Sequence, residues 1–503
     1  MEISHYLIYI PLLIPLFIFT KHLLHKLQNL PPSPLLRLPF LGHLHLLKKP
    51  LHRSLAAISS RHGPVVLLHL GSRRVLLVSS PSAAADCLSK NDVVFANRPR
   101  LLVGKHLGYN NTSLVWSSYG DHWRNLRKVS SLEVLSAQRL TELQGIRAGE
   151  VRTMVRTLAR GSEERRLVDM KAAFFEVTMN VVMRMIAGKA YYGRGVEGAE
   201  EGRRFREIVA ETMRLMAASN KGDYLPWLGD GGVEKRMVEL HRERDSFMQE
   251  LVEGCRMRRR SYGGDGGGNK TMIEMLLALQ EKEPEYYTDE LIKSLMLSLL
   301  IAGTDTSSGT MEWALSLMLN NPHVLKKAQA EIDGHVGHVR LLDESDLADL
   351  PYLRSVIAET LRMYPAAPLL VPHESSAECT VGGYRVPAGT MLLVNVWAIQ
   401  NDPGCWEDAT EFRPERFEKS GGGGGGCKRM PFGAGRRRCP GEALAVRVLG
   451  LGLGAVVQCF DWEREGAELV DMSEGGGVSL PRAAALMAYC RERSVAEALL
   501  SNI

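Results

Sequence analysis

Apolar residues in this chain recur mostly at three- and four-residue intervals, the spacing that lines one face of a helix, over two long stretches, residues 121–260 and 288–364. Short aliphatic and β-branched runs lie outside them. Residues 65–70 and 74–78 flank Gly71-Ser72 as a hairpin, and residues 384–386 and 391–396 flank Pro387-Ala388-Gly389 in the same manner. The fold class expected is mainly α with small β-sheets. Within the second stretch, residues 291–319 form an apolar helix interrupted by Ala302-Gly303-Thr304-Asp305-Thr306. A helix of that length spans ~40 Å at 1.5 Å per residue, enough to cross a whole domain.

The longest apolar run comes first. Residues 3–24 are broken only by Ser4, His5, Thr20 and Lys21-His22, and a bilayer core needs about 20 helical residues. Pro11 and Pro15 are tolerated in such a helix. A cleaved leader is the alternative, but Met1-Glu2-Ile3-Ser4 has no basic residue and no small-residue cleavage pattern follows Thr20. Lys21, His22, His25 and Lys26 follow the run, so the positive-inside tendency leaves the rest in the cytosol. Leu30-Pro31-Pro32-Ser33-Pro34 then reads as a stiff spacer. The organisation expected is a transmembrane signal anchor over 1–24, a proline-rich hinge over 25–50 and one large domain over 51–503. Sequons at Asn110, Asn111 and Asn269 would carry no sugar in that topology.

Composition narrows the function. With 45% hydrophobic residues in 503, the chain can bury a large core, and its net charge of +5 is too mild to suggest a nucleic-acid partner. Eight cysteines are scattered without a CxxC pair or zinc-type Cys/His spacing and read as thiols of a reducing compartment. Glycine tracts at 263–268, 421–426 and 475–477 read as flexible surface loops. Residues 264–271 approach a phosphate-binding loop, but Asn269 stands where the glycine before Lys270 belongs and no buried strand precedes it, so nucleotide binding is rejected.

The chemistry concentrates in three places. Phe432-Gly433-Ala434-Gly435-Arg436-Arg437-Arg438-Cys439-Pro440-Gly441 presents one cysteine in a basic loop leading into an apolar helix. A helix N-terminus and nearby cations favour the thiolate, so Cys439 is expected to be a low-pKa metal ligand. Glycines 433, 435 and 441 let the backbone turn where a side chain would obstruct a flat cofactor. In the 291–319 helix, Thr306 can bond back to the Ala302 carbonyl, Gly303 allows close approach to a flat ring, and Asp305 can relay protons. Glu359 and Arg362 share a helix face, with Tyr364-Pro365 and then Pro414-Glu415-Arg416-Phe417 following.

The cysteine loop satisfies the pattern FxxGxRxCxG at Phe432, Gly435, Arg437, Cys439 and Gly441, and resembles the haem-ligand loop of cytochrome P450s. Residues 302–306 are similar to the family's (A/G)Gx(D/E)T oxygen-activation motif, and Glu359 to Arg362 and residues 414–417 to its ExxR and PERF elements. Residues 30–34 resemble its proline hinge, with Ser33 where glycine is common. The resemblance implies the P450 fold and haem b with Cys439 as the axial iron ligand. It implies that Phe432 packs beside the sulfur, that Arg437, Trp123, Arg127 and His373 face the propionates, and that Gly303 lies near the ring. Asp305 and Thr306 would deliver protons, and Glu359, Arg362 and Arg416 would form a structural network. Arg436 and Arg438 match no fixed position and read as a solvated basic loop.

The activity so implied is a monooxygenase that places one atom of dioxygen in product and the other in water. Electrons would come from NADPH through NADPH-cytochrome reductase, docking where Arg124, Lys128, Lys428 and Arg429 could steer it. The setting implied is the endoplasmic reticulum membrane, single-pass, with the catalytic domain facing the cytosol. Residues 179–193 and 373–395 are similar to the plant group that includes isoflavone hydroxylases. That implies aromatic hydroxylation or oxidative ring closure of a phenolic, whether isoflavone, flavonoid, lignan or xanthone precursor. Recognition would fall in residues 100–115, 213–227, 297–306, 366–371 and 478–486, an apolar set. A fatty acid or terpenoid substrate stays open. So do a reductase-independent haem-thiolate isomerase or dehydratase, and a non-catalytic haem-binding membrane protein.

Overall fold

The computed structural model describes residues 20, 23–162, 167–193, 199–217, 220–229, 232–261, 270–418 and 430–501. Nearly all of the 1–24 anchor lies outside them, as do the glycine tract at 421–426, all but Lys270 and Thr271 of residues 264–271, and Lys428 and Arg429. The strands among the described residues, numbered along the chain, are β1 (Val65–Leu70), β2 (Arg73–Val78), β3 (Leu167–Asp169), β4 (His373–Glu374), β5 (Cys379–Val381), β6 (Tyr384–Val386), β7 (Met391–Val394), β8 (Phe460–Arg464) and β9 (Met487–Glu492). The chain packs as two compact units, residues 1–99 with 371–395, and residues 100–370 with 396–503.

In the first unit helix α1 (Leu51–His62) covers a sheet of order β1-β2-β7-β4. The expected β1–β2 hairpin forms, turning at Gly71 with φ +57°. The expected β6–β7 hairpin does not. β6 pairs with β5 across Gly382-Gly383, and β7 pairs in parallel with β2, Val75 opposite Met391 through Val78 opposite Val394. All four β7 residues are buried, which needs a neighbour on each side. Two main-chain donors of residues 387–390 bond to Ser375 instead: Gly389 N–H to its carbonyl at 2.8 Å and Thr390 N–H to its hydroxyl at 3.0 Å. The proline-rich segment is tied to this unit through His43, whose Nε2 donates to the Pro34 carbonyl at 3.1 Å while Nδ1 accepts from the His69 N–H at 2.9 Å.

The second unit is helical: α2 (Asp121–Val129), α3 (Met170–Ala187), α4 (Val233–Ser261), α5 (Asp289–Asn320), α6 (Pro351–Met363) and α7 (Glu442–Cys459) carry most of its core. α5, expected at 291–319, runs 32 residues; the Thr288 hydroxyl caps its start by accepting from Leu291 N–H, and Pro322 lies just beyond its end. It packs against α3, α4, α6 and α7. α7 is the one helix among the described residues long and apolar enough to span a bilayer, yet it is mostly buried as core. A Cβ on its Gly452 would come within 2.5 Å of Met311 Sδ on α5. Sheet β3-β9-β8 completes the unit, β3 being a strand that the helical reading of residues 121–260 missed.

Two further expectations are corrected. Residues 475–477 form a built turn: Gly475 N–H donates to the Pro481 carbonyl at 2.8 Å, and a Cβ there would sit 2.8 Å from the Arg482 carbonyl oxygen. Cys87, Cys255, Cys379, Cys439, Cys459 and Cys490 are free thiols, but Cys405 is disulfide-bonded. Closeness in the folded chain decides pairing, and spacing along the sequence does not report it.

Candidate active site

Glu359 and Arg362 lie one turn apart on α6, both fully buried. Arg362 grips the carboxylate with two bonds, Nε to Oε2 at 2.7 Å and Nη2 to Oε1 at 2.9 Å. Arg416, from the short helix Pro414–Phe417, adds Nε to Oε1 at 3.0 Å, and Arg413 N–H adds a fourth at 3.1 Å. The remaining guanidinium protons go to main-chain carbonyls: Arg362 to Gln400 at 2.8 Å, Arg416 to Asp408 at 2.7 Å and to Glu407. Buried charge is tolerable only when paired and saturated in this way.

Gln400, fully buried, joins that network to the cysteine loop. Its Nε2 donates to the Leu361 and Arg362 carbonyls at 2.9 and 3.1 Å, and its Oε1 accepts from Met430 N–H at 2.9 Å, two residues before Phe432. Sequence reasoning missed it, since a single Gln in a helical turn carries no periodic signal. The loop then closes on itself. Gly433 and Gly435 adopt φ +70° and +68°, conformations that strain a side-chain-bearing residue, and Cys439 N–H donates to the Phe432 carbonyl at 2.9 Å. Phe432 therefore sets the loop through its backbone.

The Cys439 thiol is exposed at the floor of this loop, though protein surrounds it. Burial pushes its pKa up, against the pull of the Gly441 N–H and of Arg127 and Arg438. The low pKa expected from sequence is thus corrected. The cations counted on are drawn elsewhere, the Arg438 side chain to Glu442 at 2.6 Å and the Arg127 Nη1 to the Arg438 carbonyl at 2.6 Å, and α7 begins only at Glu442. A coordinating metal, not the loop alone, has to remove the thiol proton.

Beside the thiol, Arg437 lies over the ring of Trp123 at 4.3 Å, and its Nη2 donates to the Ser117 carbonyl at 2.5 Å. Trp123 and Arg127 come from α2, as their four-residue spacing suggested. Desolvation, then the like charge of Arg127, drives the Arg437 pKa down to about 9. Burial likewise lowers Arg127, partly offset by Cys439. Two desolvated guanidiniums steered by carbonyls and an aromatic face, next to a lone soft sulfur, fit an iron porphyrin with its carboxylates: a thiol for the metal and cations for the anionic edge. Arg436 reaches the Tyr119 hydroxyl at 3.1 Å, so neither it nor Arg438 is simply solvated.

Midway along α5 the burial pattern changes. Ala302 is exposed, and Thr306, one turn on, is partly open, although most of the helix on both sides is buried. Thr306 Oγ1 donates to the Ala302 carbonyl at 2.7 Å, the expected back-bond, while the helix runs on unbroken. A Cβ on Gly303 would stand 3.1 Å from Val182 Cγ2 of α3, so its missing side chain also serves helix packing. In the first unit, His373 is buried in β4 and its Nδ1 donates to the Phe95 carbonyl at 2.7 Å. Arg98, also buried there and missed from sequence, donates through Nη1 to the Val371 and Pro372 carbonyls, each at 2.8 Å. Of the proposed reductase contacts, Arg124 is paired with Asp121.

The cytochrome P450 family model matches residues 31–487. Among characterised relatives, a (+)-piperitol/(+)-sesamin synthase of Sesamum radiatum is 46% identical over 95% of this chain and 94% of its own. An isoflavone 3'-hydroxylase of Medicago truncatula is 46% identical over 97% of this chain and 99% of its own. A zebrafish cytochrome P450 solved with progesterone superposes with a TM-score of 0.76 at 25% identity, over 88% of this chain and 100% of that one. Members of this family hold haem b and draw electrons from NADPH through a reductase. The matched range contains the Cys439 loop and residues 302–306, 359–362 and 414–417, and the chain belongs to the cytochrome P450 family, as a plant monooxygenase of the isoflavone-hydroxylase-like group.

Proposed function

We propose that this enzyme hydroxylates, or oxidatively closes a ring on, the aromatic system of a plant phenolic, an isoflavone first and a lignan second. The carrying observation is near-full-length identity of 45–46% to isoflavone 3'- and 2'-hydroxylases, with a sesamin-forming relative equally similar. Haem, when bound, supplies the oxygen-activating chemistry. In this reading Cys439 holds the iron, and Arg437 and Arg127, with Trp123 beneath Arg437, take the propionates. Glu359, Arg362 and Arg416 fix the platform below. Thr306 Oγ1 donates to the Ala302 carbonyl, which leaves its lone pairs to accept a hydrogen bond, and Asp305 carries protons in from solvent.

The setting we infer is the endoplasmic reticulum membrane, with residues 1–24 as a single anchor, 25–50 as hinge and the catalytic domain in the cytosol, beside NADPH-cytochrome reductase. The apolar run at residues 3–24 and the basic residues after it support this. The test is a screen of isoflavones, flavonoids, lignans, fatty acids and terpenoids for the haem spin-state shift, followed by product analysis with reductase and NADPH. An isoflavone hydroxylated only in the presence of reductase is the expected result. Turnover without reductase, or a shift with fatty acids alone, overturns the reading.

A further inference from the structure

The hydroxyl of Ser479 donates to Asp305 Oδ2 at 2.5 Å, joining residues 174 apart in sequence. Sequence reading placed Ser479 in a stretch assigned to substrate recognition, and no role above uses it. A carboxylate projecting from a helix has several rotamers available, and a relay needs one of them. A surface contact would select weakly, because both partners would pay entropy to meet. Here the backbone behind the serine is already fixed.

Leu480 is bonded at both ends, its N–H to the Ala366 carbonyl at 3.1 Å and its carbonyl to the buried Trp313 Nε1 at 2.7 Å. Two residues further, Arg482 donates to Ser316 Oγ and to the Asp471 carbonyl and lies over the Trp313 ring at 5.7 Å. The glycine turn and the Ala483 N–H to Ser473 carbonyl bond at 2.9 Å close the segment. Residues 471–483 are thus fastened to α5 at Trp313 and Ser316, on the same helix that carries Asp305. Serine and aspartate sit on one rigid body, and the fold sets their separation.

We infer that Ser479 is the positioning residue of the Asp305 relay: by holding Oδ2 it fixes the carboxyl and leaves Oδ1 to take up each proton and pass it towards Thr306. This rests on the relay roles proposed above. The proton balance is simple. A proton gained at Oδ1 is released from Oδ1, and the Ser479 bond to Oδ2 persists in both states, so the carboxyl does not swing between them.

The experiment uses full-length, haem-loaded protein reconstituted with reductase, NADPH and the isoflavone daidzein as probe, reading hydrogen peroxide released per NADPH. A crystal structure of Ser479→Ala reads the Asp305 rotamer. Ser479→Ala should raise the peroxide fraction by about threefold or more and rotate the carboxyl, with the ferrous-carbonyl band unchanged. The near-isosteric pair Ser479→Thr and Ser479→Val isolates the hydroxyl should the alanine variant fail to fold: threonine should keep the wild-type fraction and valine should not. A wild-type peroxide fraction in the alanine and valine variants, or an unmoved Asp305, overturns the inference. Asp305→Asn separates the levels. If it raises peroxide while Ser479→Ala does not, the inference alone falls; if it changes nothing, the relay reading falls and takes the inference with it.

Discussion

Two clusters of buried arginine lie in the second unit, and they are built on opposite principles. At Arg362 the guanidinium finds a carboxylate, a second arginine shares it, and carbonyls absorb other protons. At Arg437 the guanidinium finds carbonyls and an indole face, faces Arg127, and has its pKa driven down to about 9. A saturated network holds the fold whatever else binds. A cation whose pKa is driven down by desolvation and a like charge is stabilised when an anion arrives, which is the electrostatic mark of a binding site.

The largest effect that would break this contrast is at Glu359. Glu359→Gln leaves Arg362 and Arg416 buried without their counter-charge, a cost of about 3 to 5 kcal/mol against a total stability of order 5 to 15. The expected outcome is little soluble protein, rapid trypsin cleavage and no haem-thiolate carbonyl band. Arg362→Lys should fail similarly, because an ammonium cannot span both carboxylate oxygens. A Glu359→Gln protein that melts with the wild type would remove the distinction between the two clusters.

Next is Cys439→Ser, which separates fold from chemistry. Serine is close in size to cysteine and Cys439 is exposed, so far-UV circular dichroism of the haem-free chain should match wild type, with a stability change within about 1 kcal/mol. The thiolate-type carbonyl spectrum and NADPH-driven turnover should both vanish. Retention of that spectrum would mean that another residue ligates the iron.

Arg437→Met sharpens the comparison more finely. Removing a desolvated cation that faces Arg127 should offset the loss of its carbonyl bonds. The haem-free melting point should therefore stay close to wild type, whereas haem transfer to apomyoglobin should accelerate by about tenfold, the equivalent of 1.4 kcal/mol for one lost charge-assisted bond. The Arg362→Met protein should show the reverse order of effects. Equal destabilisation of the two haem-free variants would refute the argument.

The contrast also marks what was legible in the sequence. Elements whose members are close along the chain were readable: the Cys439 loop, the one-turn spacing of Glu359 and Arg362, the four-residue spacing of Trp123 and Arg127, and helix α5 to within two residues at its start and one at its end. Partnerships made across the fold were not. Nothing local announces that Gln400 ties Met430 to Arg362, that Ser479 meets Asp305, or that β7 pairs with β2 and not β6. The Cys439 pKa failed for the same reason. Sequence counts cations near a thiol, but whether Arg127 and Arg438 attend to it depends on carbonyls and acids that only the fold supplies.

The smallest predicted effect extends the comparison to a buried group kept neutral. His43 lies fully buried in the first unit between an acceptor at Pro34 and a donor at His69, so only the Nε2–H tautomer satisfies both. A second proton would point Nδ1–H at the His69 N–H. Burial, more than neighbouring charge, brings the His43 pKa down to about 4 from 6.5. Between those values the unfolded chain binds more protons than the folded one, so stability rises with pH across that window and is lost as pH falls from about 6.5 towards 4. As pH falls through this range, the protection factor of the His69 amide, exchange being corrected for its intrinsic pH dependence, should fall ahead of any change at Arg362. His43→Asn, which can still accept and donate without titrating, should weaken the response, the remainder coming from the neighbouring His69, whose pKa burial brings down to about 3. A His69 protection factor that does not change with pH in the wild-type protein would show that the imidazole is not what pins the proline-rich segment to β1.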